Sequence, residues 1–134
     1  MMVPSQHPPH SLGRWGERYA ARMLLGRGWR VEARNYRFGR REVDLIVRRG
    51  PLVAFVEVKT RAGDCYGSPE DAVTWSKQRE IEVVAQDYLH RHCPDEPAVR
   101  FDVVGIVLDG LPPSEARVVR CTHTEGAWRP GFKG

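Results

Sequence analysis

Lysine is scarce in this chain of 134 residues. Its positive charge rests on eighteen arginines and only three lysines, Lys59, Lys77 and Lys133. Arginine is the default cation here, so each lysine calls for a reason. A compact ammonium has a pKa that can move, and a guanidinium does not. Cysteine is scarce too. Cys65, Cys93 and Cys121 are odd in number and lack metal-ligand spacing. That excludes a zinc ribbon or a disulfide framework and fits a reduced, cytoplasmic protein. No apolar run approaches the roughly 20 residues of a membrane span. The opening MMVPSQHPPH lacks the apolar stretch of a signal peptide. It reads as a disordered tail over residues 1–10, and two histidines flanking a proline pair make a poor metal site.

What remains suits one domain with one core, expected over residues 11–128, with a C-terminal tail from 129 to 134. Hydrophobic residues at 41% and charged residues at 28% match a soluble globular fold. The net charge is +4, and eleven of the arginines fall in the first fifty residues. That half could neutralise phosphates. It could equally be the solvated surface of an arginine-rich protein, and charge alone does not separate the two.

Residues 11–26 carry Leu12, Trp15, Gly16, Tyr19, Ala20 and Met23 at helical spacing, with Glu17 at the edge of that face. Gly26 and Gly28 supply the stop. Strands are expected at 29–36, 42–48 and 52–60, the last with an apolar start that predicts a central position buried on both faces. Ser68 reads as an N-cap, with Pro69 at the first position of a helix that runs to about His92. Strands at 99–108 and 115–122 follow, and Trp128 is placed to dock on the body. The order α-β-β-β-α-β-β predicts an α/β fold, a mixed sheet flanked by helices.

The chemistry gathers at the end of the third strand. Glu57 and Lys59 are two residues apart and share a face. Alone, such a triplet is also what an exposed ion pair looks like. The preceding hairpin sharpens it. With Gly50 and Pro51 as a type II′ loop, Arg49 faces Leu52, and counting back sets Asp44 opposite Glu57. Two carboxylates facing each other at about 5 Å repel, and a divalent cation between them reverses that sign. Hard oxygens with room for water suit Mg²⁺ or Mn²⁺. A shift of one residue would send Asp44 to the other face. Lys77 lies in the apolar stripe Val73, Ile81, Val84, Tyr88, where it either snorkels or meets an acid on the sheet. Asp102, in an apolar strand, needs a partner. A structural salt bridge and a place in the site are both open to it.

The segments G-x-x-G-E (Gly13–Glu17), N-x-R (Asn35–Arg37), E-V-D-L-I (Glu42–Ile46), F-V-E-V-K-T-R (Phe55–Arg61), G-S-P-E-D-A-V (Gly67–Val73), K-Q (Lys77, Gln78) and R-F-D-V-V (Arg100–Val104) occur in order. Together they resemble the YraN family of uncharacterised bacterial proteins. That family is similar to Holliday-junction resolvases and carries the PD-(D/E)xK pattern of restriction-endonuclease-like folds. One departure is Arg41, where the family usually has glycine. The resemblance implies a Mg²⁺- or Mn²⁺-dependent endonuclease acting on nucleic acid, DNA rather than RNA. Asp44 and Glu57 would be metal ligands and Lys59 would serve the attacking water. Glu17 would make a further metal or water contact, and Lys77 would be auxiliary. Arg14, Arg40, Arg41 and Arg61 would grip the backbone, positioning substrate without reading sequence. A homodimer is compatible with such work. Two rivals stand beside this reading: a binding module of the same fold that does not cut, and a subunit active only within a DNA-processing complex.

Overall fold

The computed structural model describes residues 9–63, 69–110, 112 and 116–131. Cys65, the expected cap Ser68 and Lys133 lie outside them. Helix α1 (Pro9–Gly26) leads into β1 (Arg30–Phe38), β2 (Arg41–Arg49) and β3 (Leu52–Ala62). A 3₁₀ turn (Pro69–Ala72), α2 (Trp75–His92), β4 (Ala98–Asp109) and β5 (Arg117–Thr124) follow. The expected α-β-β-β-α-β-β order holds, with strand boundaries within two residues of those expected. The strands lie side by side in chain order. Neighbours are antiparallel except β3 and β4, which run parallel and are joined through α2.

The two helices cover opposite faces. On one, Ala20, Ala21 and Leu24 of α1 pack with Trp29, Leu45, Val47, Ala54, Val56, Val104 and Ile106. On the other, Ile81, Val84, Ala85 and Tyr88 of α2 pack with Val43, Ile46, Val53, Phe55, Phe101 and Val103. β3 is buried from Val53 to Val58, as its apolar start predicts. Each large apolar side chain so enclosed contributes about 1.5–3 kcal/mol.

α1 is rotated from the expected stripe. Gly16, Ala20, Ala21 and Leu24 are its buried residues, while Leu12, Trp15, Tyr19 and Met23 are half-buried at the flank. Small residues face the sheet because the helix comes very close to it. A Cβ on Gly16 would stand 1.8 Å from Thr60 Oγ1 and 2.9 Å from Thr60 Cβ. The rotation turns Glu17 toward the sheet.

α2 starts later than expected. Pro69 opens only a four-residue 3₁₀ turn. Thr74 then takes an extended conformation (φ −67°, ψ 164°), and its hydroxyl accepts from the Lys77 N–H at 3.2 Å. The β-branched pair Val73–Thr74 is a weak helix former, and the threonine gains more as a cap. Val73 therefore lies outside the helix, though still in the α2-side core. At the far end the helix stops before Pro94, as expected, with the Cys93 N–H bonded to the Leu89 carbonyl at 3.0 Å.

The C-terminal segment is tied down by two buried acids. Asp102 is fully buried and takes two bonds of 2.9 Å from Arg100 and one of 3.0 Å from the Gly126 N–H, with His123 Nε2 at 2.8 Å. Its role is structural. Glu82, not among the expected candidates, accepts from Arg79, Trp128 Nε1 and the Gly131 N–H. Trp128 docks as expected, stacked on Phe101 at 5.2 Å. No helix among the described residues is long and apolar enough to cross a membrane.

Candidate functional site

β2 and β3 pair from Arg49↔Leu52 to Leu45↔Val56. Gly50 has φ +60°, the sign that the first position of a type II′ turn demands. The predicted register holds over these five pairs. Asp44 and Glu57 come next, and there the ladder ends. Instead of a ladder bond, the Val58 N–H donates to Asp44 Oδ2 at 2.8 Å.

A change of face explains why. Residues two apart in a regular strand share a face. Arg34 lines a cleft with α1, yet Tyr36 packs edge-on against Tyr88 and donates to Asp87 on α2. Across the pairing, Leu45 belongs to the α1 core and Val43 to the α2 core. Between them stand Asn35, with φ +50°, and Asp44. A left-handed residue inside a strand costs about 1–2 kcal/mol, less for asparagine than for most. This row is where the sheet surface crosses over.

That corrects the expected geometry in one respect. Alternation assigns Glu57 and Lys59 to the α2 face, since Ala54, Val56 and Val58 belong to the α1 side. Asp44 meets Glu57 because it occupies the crossing row, not because it lies on a plain shared face. From there it is within hydrogen-bonding reach of both Glu57 and Glu17. Glu17, brought in by the rotation of α1, also accepts from Asn35 Nδ2 at 2.9 Å.

The electrostatics follow from burial. Burial, and then the neighbouring Glu57, push the Asp44 carboxyl up to about 7, against the pull of the Val58 N–H. Burial raises Glu57 as well, opposed first by Lys77 and then by Lys59. Burial likewise raises Glu17, with Asn35 opposing it and Asp44 adding to it. Lys59 Nζ stands 3.6 Å from Glu57 Oε2. Two of the three lysines thus act electrostatically on one buried carboxylate, Lys59 as an ion pair and Lys77 through space. Glu57 is only 4% exposed, and its Oε1 has no hydrogen-bond partner.

Among the described residues, no three His, Cys, Asp or Glu side chains are spaced to close on one metal ion. What the fold brings together is a pair, Asp44 and Glu57, with Glu17 reaching Asp44. The pair fits a divalent cation by its chemistry. It offers hard oxygens, one of them unpartnered, and a repulsion that a cation would relieve. Mg²⁺ is commonly held by one or two carboxylates while it keeps several waters. Arg41 opens β2 and Arg61 lies near the end of antiparallel β3, so both rim this end of the sheet with Arg40, and all three are exposed.

The model of uncharacterised protein family UPF0102 matches residues 16–106. The chain belongs to that family. UPF0102 relatives are similar along most of their length. One from Chlorobium limicola is 44% identical over 117 residues, covering 87% of this chain and 91% of its own. One from Chlorobaculum tepidum is 41% identical over 128 residues, covering 94% and 98%. One from Symbiobacterium thermophilum is 47% identical over 95 residues, covering 71% and 80%. Among solved structures, Pyrococcus furiosus SfsA in complex with Ca²⁺ covers 85% of this chain and 62% of its own, at 14% identity and a TM-score of 0.35. That likeness is too distant to carry an argument. The UPF0102 match spans Glu17, Asp44, Glu57, Lys59 and Lys77, and leaves Arg14 outside.

Two contributors escaped the sequence reading. Asn35 was visible only within a motif, although asparagine inside a strand is a signal of a left-handed residue. Thr60 too stood only inside a motif, because its importance lies in what Gly16 places against it.

Proposed function

We propose that this protein is a metal-dependent endonuclease that hydrolyses phosphodiesters in DNA, selecting structure rather than sequence. The observation that carries the reading is the approach of half-buried Asp44 to buried Glu57, with one Glu57 oxygen unpartnered and Lys59 Nζ 3.6 Å from the other. A purely structural pair of acids would be neutralised by bonded arginines, as Asp102 is.

Asp44 and Glu57 would hold Mg²⁺ or Mn²⁺, which when bound supplies a Lewis acid for the phosphate and for the attacking water. The Val58 N–H fixes one Asp44 oxygen, so the ligand is held before substrate arrives. Lys59 orients the water and offsets charge growing on the phosphate. Lys77 favours the ionised form of Glu57 against its burial. Glu17, whose carboxyl is raised by burial and is therefore a stronger base when ionised than a free glutamate, is suited to take the proton released as water adds to phosphorus. One P–O ester bond breaks, and the leaving alkoxide acquires a proton from solvent. Arg40, Arg41 and Arg61 hold the flanking backbone. Arginine contacts to the backbone position substrate without reading sequence, which favours structure-selective cutting.

The test uses purified protein and a panel of single-stranded, duplex, flap and four-way DNA with Mg²⁺ or Mn²⁺. Asp44→Ala and Lys59→Ala should each lower the rate by at least about 10²-fold. Cleavage that persists in both variants places the chemistry elsewhere. Metal-independent binding without cleavage, unchanged in Asp44→Ala, makes the protein a binder that does not cut.

A further inference from the structure

We propose that the cleft between α1 and β1 is a phosphate subsite, built by Arg14, Arg18 and Arg34, that holds a backbone phosphate beside the carboxylate pair. The proposal deepens the nuclease reading and rests on it for the position of the scissile bond, but not for the binding itself.

The cleft has a volume of about 240 Å³ and is lined by Arg14, Glu17, Arg18, Arg34, Asn35 and Leu45. At roughly 30 Å³ per water that is room for about eight waters, enough for a phosphate group and part of its sugar. Seven other arginines, Arg30, Arg37, Arg48, Arg79, Arg91, Arg100 and Arg117, are ion-paired with carboxylates. Arg14, Arg18 and Arg34 belong to the described arginines without such a partner, and they are the ones that line this cleft. The cleft's one acid does not neutralise them. Glu17 is turned to Asn35 Nδ2 and to Asp44.

The backbone is arranged to produce this. Arg14 and Arg18 are four residues apart on α1, an unfavourable spacing for like charges. Arg34 would share the face of Tyr36 in a regular strand. The left-handed Asn35 sends it to the α1 side instead, adding a third cation to the same cleft. Three exposed arginines lining one cleft without counter-ions suit an anion with several charged oxygens, because each guanidinium fork can take two of them. Glu17 borders both the cleft and Asp44. A phosphate held here is therefore one side chain away from the carboxylate pair, the place of a neighbour to the cleaved phosphate.

The experiment measures binding of a fluorescent single-stranded oligonucleotide by anisotropy in EDTA, where no metal-dependent cutting occurs. Probes carry either a 5′-phosphate or a 5′-hydroxyl. Arg18→Gln with Arg34→Gln should weaken binding at least tenfold and lower the slope of log K against log salt by about 0.7, the loss of one phosphate contact on a single strand. The charge-matched double variant Arg117→Gln with Arg120→Gln, on the far edge strand β5, should change binding less than twofold. Tighter binding of the phosphorylated probe by the wild type, lost in the cleft variant, identifies a terminal phosphate. Equal loss for both probes identifies an internal phosphodiester. Either supports the subsite. A cleft variant that binds like wild type, or equal weakening by both double variants, overturns it. Cleavage unaffected by Asp44→Ala would sink the nuclease reading while leaving this result standing.

Discussion

Replacing Gly16 with alanine adds one methyl group at the point where α1 touches β3. In an open helix that change stabilises by about 1 kcal/mol, the difference in helix propensity. Here the new carbon would stand 1.8 Å from Thr60 Oγ1, 2.9 Å from its Cβ and 3.2 Å from its Cγ2. Rotating χ1 of Thr60 exchanges one branch for another and leaves the Cβ contact in place. Helix and strand must separate instead, and overpacking of this kind costs about 1–3 kcal/mol. The clash outweighs the propensity gain, so Gly16→Ala should lower stability by up to about 2 kcal/mol. It should also carry Glu17 away from Asp44, and a displacement near 1 Å can cost about 10²-fold in rate. Urea denaturation measures the first effect and the DNA panel the second. Thr60→Ala in the Gly16→Ala background removes the 1.8 Å and 3.2 Å contacts and should recover part of the stability. A Gly16→Ala protein as stable as wild type, or more so, would show that α1 does not approach β3 this closely.

The carboxylate pair should make the metal-free protein pH-sensitive. Asp44 holds its proton up to about pH 7 when folded but releases it near its ordinary value of 3.8 when unfolded. The contribution of Asp44 to stability is therefore greatest below about pH 4 and falls between about pH 4 and 7, by an amount on the order of a few kcal/mol. Tm measured in EDTA should show that fall. Asp44→Asn should flatten it, raise Tm at pH 8 and abolish any Tm rise on adding Mg²⁺; a flat wild-type profile would contradict the argument. Asp102 acts in the opposite sense. Although burial alone would raise its carboxyl, the bonds from His123, Arg100 and the Gly126 N–H hold it below its ordinary value. Its contribution is complete above about pH 4 and is lost as pH falls through the folded pKa. Asp102→Asn should cost about 3–5 kcal/mol at pH 7, where Arg100 loses its buried carboxylate and keeps only exposed Glu125 at 3.7 Å, and much less at pH 2; equal costs by urea denaturation at both would refute this. Thr74→Ala should cost about 1 kcal/mol by removing the cap of α2, whereas a change below a few tenths in the same assay would mean that the helix does not begin at Trp75.

Much of the architecture was legible in one dimension because it depends on local periodicity. The continuous apolar run of β3, the Gly50–Pro51 loop and the glycines after α1 each act within a few residues. From them the element order and the hairpin register follow. Glu57 and Lys59 could be paired for the same reason, since a strand repeats every two residues. Asp44 could be brought opposite Glu57 only through the loop, and that reasoning held as far as Leu45↔Val56. Ser68 and Pro69 offered good local chemistry for a helix start, but Thr74 competed for the same role with a real acceptor bond. Only the folded chain shows which cap wins.

By itself the sequence determined the order of elements, the hairpin and the residue types able to hold a hard cation, because each depends on neighbours close along the chain. The tertiary structure decided the rest. It rotated α1 so that Glu17 reaches the sheet. It crossed the sheet surface at Asn35 and Asp44, and it left three arginines unpaired around one cleft. Those outcomes depend on packing between segments that are distant in sequence, where a single close approach, such as Gly16 on Thr60, sets the position of everything attached to it.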